Sequence, residues 1–342
     1  MELNLNVKER QTGTFSIGAG YSGAEGAIGS AEISQKNFLG TGRELMAMMR
    51  LSTISAFYDI RFTDPRVADT QLSAGVDLFK WNYDYDEYDR DSFGGAVRFR
   101  FPIGFDEEFT RGSFRYLYDD STITDVQPDA ALEIKDMEGD WVTSSVTLGI
   151  DRDTKDRPWN TRSGSFNRIT FEYAGGPLGG DVAFNRYELT TQWFFPWRWD
   201  TSFMVEGRWG YIQEREDGKL PVYQLYRIGG LKTVRGYDFE SIGPKDPATG
   251  DVIGGEKMMI YNFEFRFPLL KDQGILGVVF FDAGNVFREE ESWTFTDIPM
   301  SVGAGVRWYS PLGPIRLEYG YILNRRPEDS TGGVEFQVGG FW

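Results

Sequence analysis

Neither cysteine nor histidine occurs in the 342 residues. The first absence removes disulfides, thiol catalysis and thiolate metal sites. The second removes Ser-His-Asp catalysis and most zinc sites. No run of about 18–20 apolar residues is present, so no segment reads as a membrane-crossing helix. Positive charge is in deficit: 36 Lys and Arg face 52 Asp and Glu, a net charge of −16. That balance argues against nucleic acid as a partner and suits solvated loops on a cell exterior. Met1 is followed by Glu2-Leu3-Asn4-Leu5-Asn6-Val7, which lacks the charged start and apolar core of an export signal.

Aromatics are plentiful, at 16% of residues, and they alternate. Phe93, Val97, Phe99 and Phe101 interleave with Ala96, Arg98 and Arg100. Tyr261, Phe263, Phe265 and Phe267 interleave with Asn262, Glu264 and Arg266. Ile315, Leu317, Tyr319 and Tyr321 interleave with Arg316, Glu318 and Gly320. Period-2 patterning of this kind makes strands. A membrane barrel alternates lipid-facing and lumen-facing residues, so its mean hydropathy is low although it spans a bilayer. The aromatic weighting toward strand ends and the alternation of short with long connections favour such a barrel over a soluble sandwich. Short connections are expected at Gly40-Thr41-Gly42, 196–200 and 311–314, and long ones at 119–138, 213–257 and 288–297.

The patterning predicts strands at 12–21, 27–37, 43–52, 56–63, 70–80, 92–101, 111–119, 139–151, 164–174, 184–195, 201–212, 258–268, 275–287, 299–309, 314–322 and 334–342. The expected fold is all-β: a sixteen-stranded antiparallel transmembrane barrel. An even count returns both termini to one side, the periplasmic one. The barrel is expected over 11–342, with 1–10 as the stub of a linker. A barrel needs an export signal, so an upstream segment is expected. Gly175-Gly176-Pro177-Leu178-Gly179-Gly180 is a turn, since no helix follows it to make a phosphate loop.

The longest insertion, 213–257, contains glycine at 218, 229, 230, 236, 243, 250, 254 and 255, which permits compact folding. Within it, Arg235 is the only charge in Thr233–Tyr237. On the residues alone, Arg235 is either a solvated loop charge or a docking group. The acidic stretch Asp84, Asp86, Glu87, Asp89 and Asp91, interleaved with Tyr83, Tyr85 and Tyr88, reads as a solvated outer loop. Its spacing matches no EF-hand, and no metal or cofactor is expected.

Three stretches carry a resemblance. Val7-Lys8-Glu9-Arg10-Gln11-Thr12-Gly13 with Asn37-Phe38-Leu39-Gly40-Thr41-Gly42 resembles the barrel start of the BamA family of outer-membrane protein assembly factors. Val234-Arg235-Gly236-Tyr237, continuing to Ile242-Gly243-Pro244, resembles that family's loop-six signature. Phe281-Asp282-Ala283-Gly284-Asn285-Val286-Phe287 resembles its strand-thirteen motif. The resemblance runs from Val7 to Trp342 and implies a sixteen-stranded barrel that folds and inserts other barrels in the Gram-negative outer membrane. It places the long loop in the lumen, with Arg235 against Glu264 and Asp282. Those two and Phe280 share the lumen-facing parity of their strands, and one guanidinium can serve two carboxylates. The implied partners are unfolded outer-membrane clients, outer-membrane lipid, and accessory assembly lipoproteins reached through periplasmic POTRA repeats, which this sequence does not contain.

The second expected site is the seam between the first and last strands. Thr12–Tyr21 carries Phe15 with Gly13, Gly18 and Gly20, while Gly333–Trp342 carries Gly339-Gly340 and ends on Phe341-Trp342. Glycine weakens strand pairing, and an opened seam exposes an edge that templates another strand. The resemblance implies a kink in the last strand at Gly339. Terminal glycines that merely fit local curvature are the alternative.

Four functions compete. The expected one is an insertase without catalytic chemistry. A related two-partner secretion pore shares the Arg-Gly-Tyr loop but needs a conduit rather than an opening seam. A barrel hydrolase normally needs histidine. A passive porin would not explain the Arg235 motif.

Overall fold

The computed structural model describes residues 12–104, 106–310, 313–326 and 329–339. The linker expected at 1–10, the motif before Thr12, the turn Pro311–Leu312, and Gly340, Phe341 and Trp342 of the seam lie outside them. Sixteen strands form: β1 (Gly13–Ser22), β2 (Gly26–Phe38), β3 (Arg43–Leu51), β4 (Ser55–Asp64), β5 (Ser73–Asp84), β6 (Asp89–Pro102), β7 (Thr110–Thr124) and β8 (Gly139–Asp153), then β9 (Gly164–Ala174), β10 (Phe184–Pro196), β11 (Ser202–Glu214), β12 (Lys257–Leu270), β13 (Ile275–Phe287), β14 (Met300–Ser310), β15 (Gly313–Ile322) and β16 (Gly332–Val338). Each pairs antiparallel with its sequence neighbours, and β1 meets β16 to close the barrel.

Two-residue periodicity puts apolar and polar sets on opposite faces. Ile33, Phe93, Leu148, Ile169, Leu189, Phe263 and Leu317 stand outward and exposed, a surface suited to lipid. Inward positions carry charge in pairs. Arg98 meets Asp77 at 2.9 Å, Arg100 meets Asp151 at 2.6 Å, and Arg186 meets Glu172 at 3.1 Å. These ladders line the lumen.

The even strand count puts the start of β1 and the end of β16 at one rim, the near rim. The far rim is lopsided. Its connections are short at 23–25, 52–54 and 85–88, intermediate at 175–183 and 323–331, and long at 125–138, 215–256 and 288–299. Strict alternation of short and long therefore does not hold, and the expected acidic outer loop is a correction. β5 and β6 run on to Asp84 and Asp89, leaving a turn at 85–88. Asn82 Nδ2 donates to Asp91 Oδ2 at 2.6 Å across the strand pair. The Tyr83 ring meets Tyr85 at 4.3 Å in a tilted contact, and Tyr85 stacks on Tyr88 at 4.6 Å. Among the described residues no group of acidic side chains is arranged to hold a metal.

Tyr88 is buried in an apolar cluster with Ile123, Ile134 and Met137, and with Val222 and Ile253 from the long loop. A single helical turn, α1 (Leu132–Lys135), supplies Ile134. The far-rim connections thus share a small core.

Candidate functional site

The segment 215–256 folds back on itself through isolated bridges Tyr226↔Gly255, Ile228↔Ile242 and Lys245↔Val252. Its apolar residues Ile228, Val234, Tyr237 and Ile242 pack on Ile260 of β12, Val286 of β13 and Ile322 of β15. This packing fixes the loop on the inner face of those strands. The tip is pinned by two further bonds: Gly230 N–H donates to Val234 O at 3.1 Å, and Asn262 Nδ2 donates to Thr233 O at 2.7 Å.

Arg235 is thereby carried into the sheet interior, where only 2% of it is exposed. Its Nε and Nη2 donate to Asp282 Oδ2 and Oδ1, both at 2.6 Å, and its backbone N–H reaches Oδ2 at 3.1 Å. Its Nη1 serves Glu264 Oε1 at 2.7 Å and Glu318 Oε2 at 2.8 Å. The Phe280 ring lies under the guanidinium, 3.5 Å from Cζ, within cation–π range. Burial opposes the charge of Arg235, but the Glu264, Asp282 and Glu318 carboxylates more than offset it and hold the guanidinium well above its ordinary value.

The network extends beyond the expected trio. Arg307 of β14 donates to Glu264 Oε1 at 2.6 Å and to Glu318 Oε1 at 2.6 Å. Arg316 donates to both Glu318 oxygens at 2.7 and 2.9 Å, and Arg266 to Glu264 Oε2 at 2.7 Å. The structure brings Arg235, Glu264, Phe280 and Asp282 together, flanked by Val234, Gly236 and Tyr237. Glu318, Arg307, Arg266 and Asn262 were not anticipated here. All four lie on the inward parity of their strands, which was the available signal.

Glycine makes the close approach possible. Gly236 has φ +92, and a Cβ there would lie 2.6 Å from Gly320 O of β15. A Cβ on Gly320 would lie 2.6 Å from Arg235 O. The loop backbone therefore rests directly on the strand backbone.

The seam has a different character. β1 pairs with β2 along its whole length, from Gly13↔Gln35 to Ser22↔Gly26. With β16 it pairs only at Tyr21↔Val338 and Ser22↔Gln337, extended by Gly23 N–H to Phe336 O at 3.2 Å. Among the described residues, Gly13–Gly20 have no β16 partner. Phe15 and Ile17 are 65% and 75% exposed, and Thr12, Thr14 and Ser16 are exposed as well. Gly20 is required where the strands meet, since a Cβ would run into the Val338 carbonyl. β16 stops at Val338, where Gly339 adopts φ +107 and its N–H turns to Pro314 O at 3.0 Å.

Residues 37–342 match the Omp85 superfamily domain. The chain is 32% identical over 345 residues to outer membrane protein assembly factor BamA of Nitratidesulfovibrio vulgaris, across 100% of this chain and 43% of that protein. It spans less than half the length of the curated BamA relatives it matches. Among solved structures, BamA from Haemophilus ducreyi lacking POTRA domains 1–3 superposes with a TM-score of 0.86 at 23% identity, over 97% of this chain and 70% of that one. CdiB from Acinetobacter baumannii superposes at 0.64 and 15% identity, over 96% of this chain and 60% of that one. With its sixteen-stranded closed barrel and a domain match over most of its length, the chain belongs to the Omp85 superfamily.

Proposed function

We propose that this barrel is the insertase of an outer-membrane β-barrel assembly machinery, folding and inserting client barrels at the seam between β1 and β16. It is an integral barrel of the Gram-negative outer membrane, with the near rim in the periplasm and the far rim outside. The observation that carries the reading is the contrast, among the described residues, between the complete β1–β2 ladder and the two-pair β1–β16 contact. Unmade backbone hydrogen bonds cost about 1 kcal/mol each in water and more in lipid. The Gly13–Gly20 edge is therefore a template for a client strand. Each client hydrogen bond satisfies one β1 group, so strand addition drives itself and needs no bond-breaking chemistry.

Arg235 and its carboxylates serve this function by fixing the loop to β12, β13 and β15. The wall beside the seam thus stays rigid while the seam gives way. Clients are unfolded outer-membrane proteins. Accessory assembly lipoproteins engage through the periplasmic POTRA repeats that the family resemblance implies. The second reading, a two-partner-type secretion pore, is favoured only by the fold shared with CdiB. It asks for an open conduit, whereas the docked loop and the far-rim core occupy the lumen and its mouth.

The test is a Tyr21→Cys/Val338→Cys pair. Oxidation is expected to stop client insertion with the fold intact, and reduction to restore it. Insertion at an unchanged rate in the cross-linked barrel would falsify the seam mechanism. Single-channel conductance measured alongside separates the pore reading, which requires sustained current through the cross-linked protein.

A further inference from the structure

The loop tip reaches past β15 onto the last strand itself. Gly236 N–H donates to Glu335 Oε1 of β16 at 3.4 Å. On the same face, two residues earlier, a Cβ on Gly333 would lie 3.1 Å from Gly236 O. Gly333 is the direct cross-strand partner of Gly320, so the Arg235–Gly236 peptide sits on a pair of facing glycines. Both polar atoms of Gly236 therefore face β16, one accepted by Glu335 and the other admitted by the missing side chain of Gly333.

Glu335 also stands directly opposite Glu318 on β15. Like charges in that relation destabilise a strand pair. Here Glu318 is engaged by Arg235, Arg307 and Arg316, so its charge is offset, in part by the docked loop. On its other side β16 has, among the described residues, two residue pairs with β1. Its described contacts are thus mainly with β15 and with the loop.

We propose that Glu335 and Gly333 are positioning residues through which the docked loop holds the last strand, so that docking of Arg235–Gly236 sets how far the seam stands open. The inference rests on the seam reading for its relevance to insertion, but the strand's position is measurable without a client. Loss of one hydrogen bond shifts the balance between held and released strand by about two- to tenfold.

The experiment uses the full chain in lipid nanodiscs, with nitroxides at the exposed positions Ala19 and Val334 and distances read by double electron–electron resonance. Wild type is expected to give one narrow distribution. Glu335→Leu and Gly333→Val are expected to raise the released fraction about two- to tenfold. Glu335→Gln, which keeps an acceptor for Gly236 N–H, should restore most of the held state. Gly333→Ala provides a milder version should Gly333→Val fail to fold. Unchanged distributions in Glu335→Leu and Gly333→Ala overturn the proposal, and a Glu335→Gln distribution as broad as that of Glu335→Leu overturns the role of the hydrogen bond. Client insertion by the disulfide-locked barrel, run in parallel, reports on the seam reading separately.

Discussion

Arg235 Nη1 and Glu318 Oε2 lie 2.8 Å apart although 83 residues separate them in the chain. Through this bond the long loop is tied to β15, beside the last strand, as well as to the motif strand β13. Arg235→Ala leaves Asp282, Glu264 and Glu318 buried without their shared cation, a loss of about 3–5 kcal/mol. The expected outcome is a lower unfolding temperature by heat-modifiable gel mobility, together with reduced client insertion. Arg235→Lys should be intermediate, because an ammonium cannot grip Asp282 with two parallel bonds. Asp282→Asn should lose part of the same stability. Wild-type unfolding in Arg235→Ala would remove the network from the account of stability.

Gly236 and Gly320 compete for one space, and this makes a non-additive prediction. Either Gly236→Ala or Gly320→Ala puts a methyl group against the opposing backbone and is expected to undock the loop. The double variant should be scarcely worse than the weaker single one, since the second methyl enters a gap already opened. Protease sensitivity of the segment 215–256 checks this, and additive effects would show that the two glycines act separately.

Some of this was legible in the sequence. The bounds of β9 and β13 follow from the alternation alone, because lipid demands an apolar outward set and the lumen accepts charge. The lumen face of Glu264, Phe280 and Asp282 follows from the parity of their strands, and their place beside Arg235 from the family resemblance. Glu318 and Arg307 could not be assigned to Arg235 this way. Their proximity arises from the curvature of the sheet, which brings β12, β14 and β15 around one point, and parity gives the face but not the height. The Tyr83–Asp91 stretch was misread because its acidic residues suggest a solvated loop. In the structure Asp84, Asp89 and Asp91 lie on strand ends while Asp86 and Glu87 stay in the turn, and Tyr85 and Tyr88 pack into the far-rim core.

Burial raises the Glu240 and Glu87 carboxyls above the usual range, and nearby Arg227 opposes this only in part. A folded-state value above the unfolded one means that folding favours the protonated form. The contribution is therefore fully present below the unfolded value and lost as pH rises through the folded one. Glu240→Gln, which imitates the protonated state, is expected to exceed wild type in unfolding temperature at pH 8. The gap should close as the pH falls toward about 4. A gap that is constant across this range would show that Glu240 does not titrate in the folded loop.

The far rim is low on one side, with connections only at 23–25, 52–54 and 85–88 from β1 to β6. On the proposed mechanism, a client that grows from the β1 edge must carry its own exterior loops past that stretch of rim. Low parapets there leave headroom for bulky cargo, while the tall loops stand over β7 to β16. Grafting a long polar loop into 23–25 is expected to slow insertion of clients with large exterior loops and to spare those with short ones, read as separate insertion rates. On this view the lopsided skyline of the barrel is a clearance gauge: the height of the wall beside the opening limits the size of what can be built next to it.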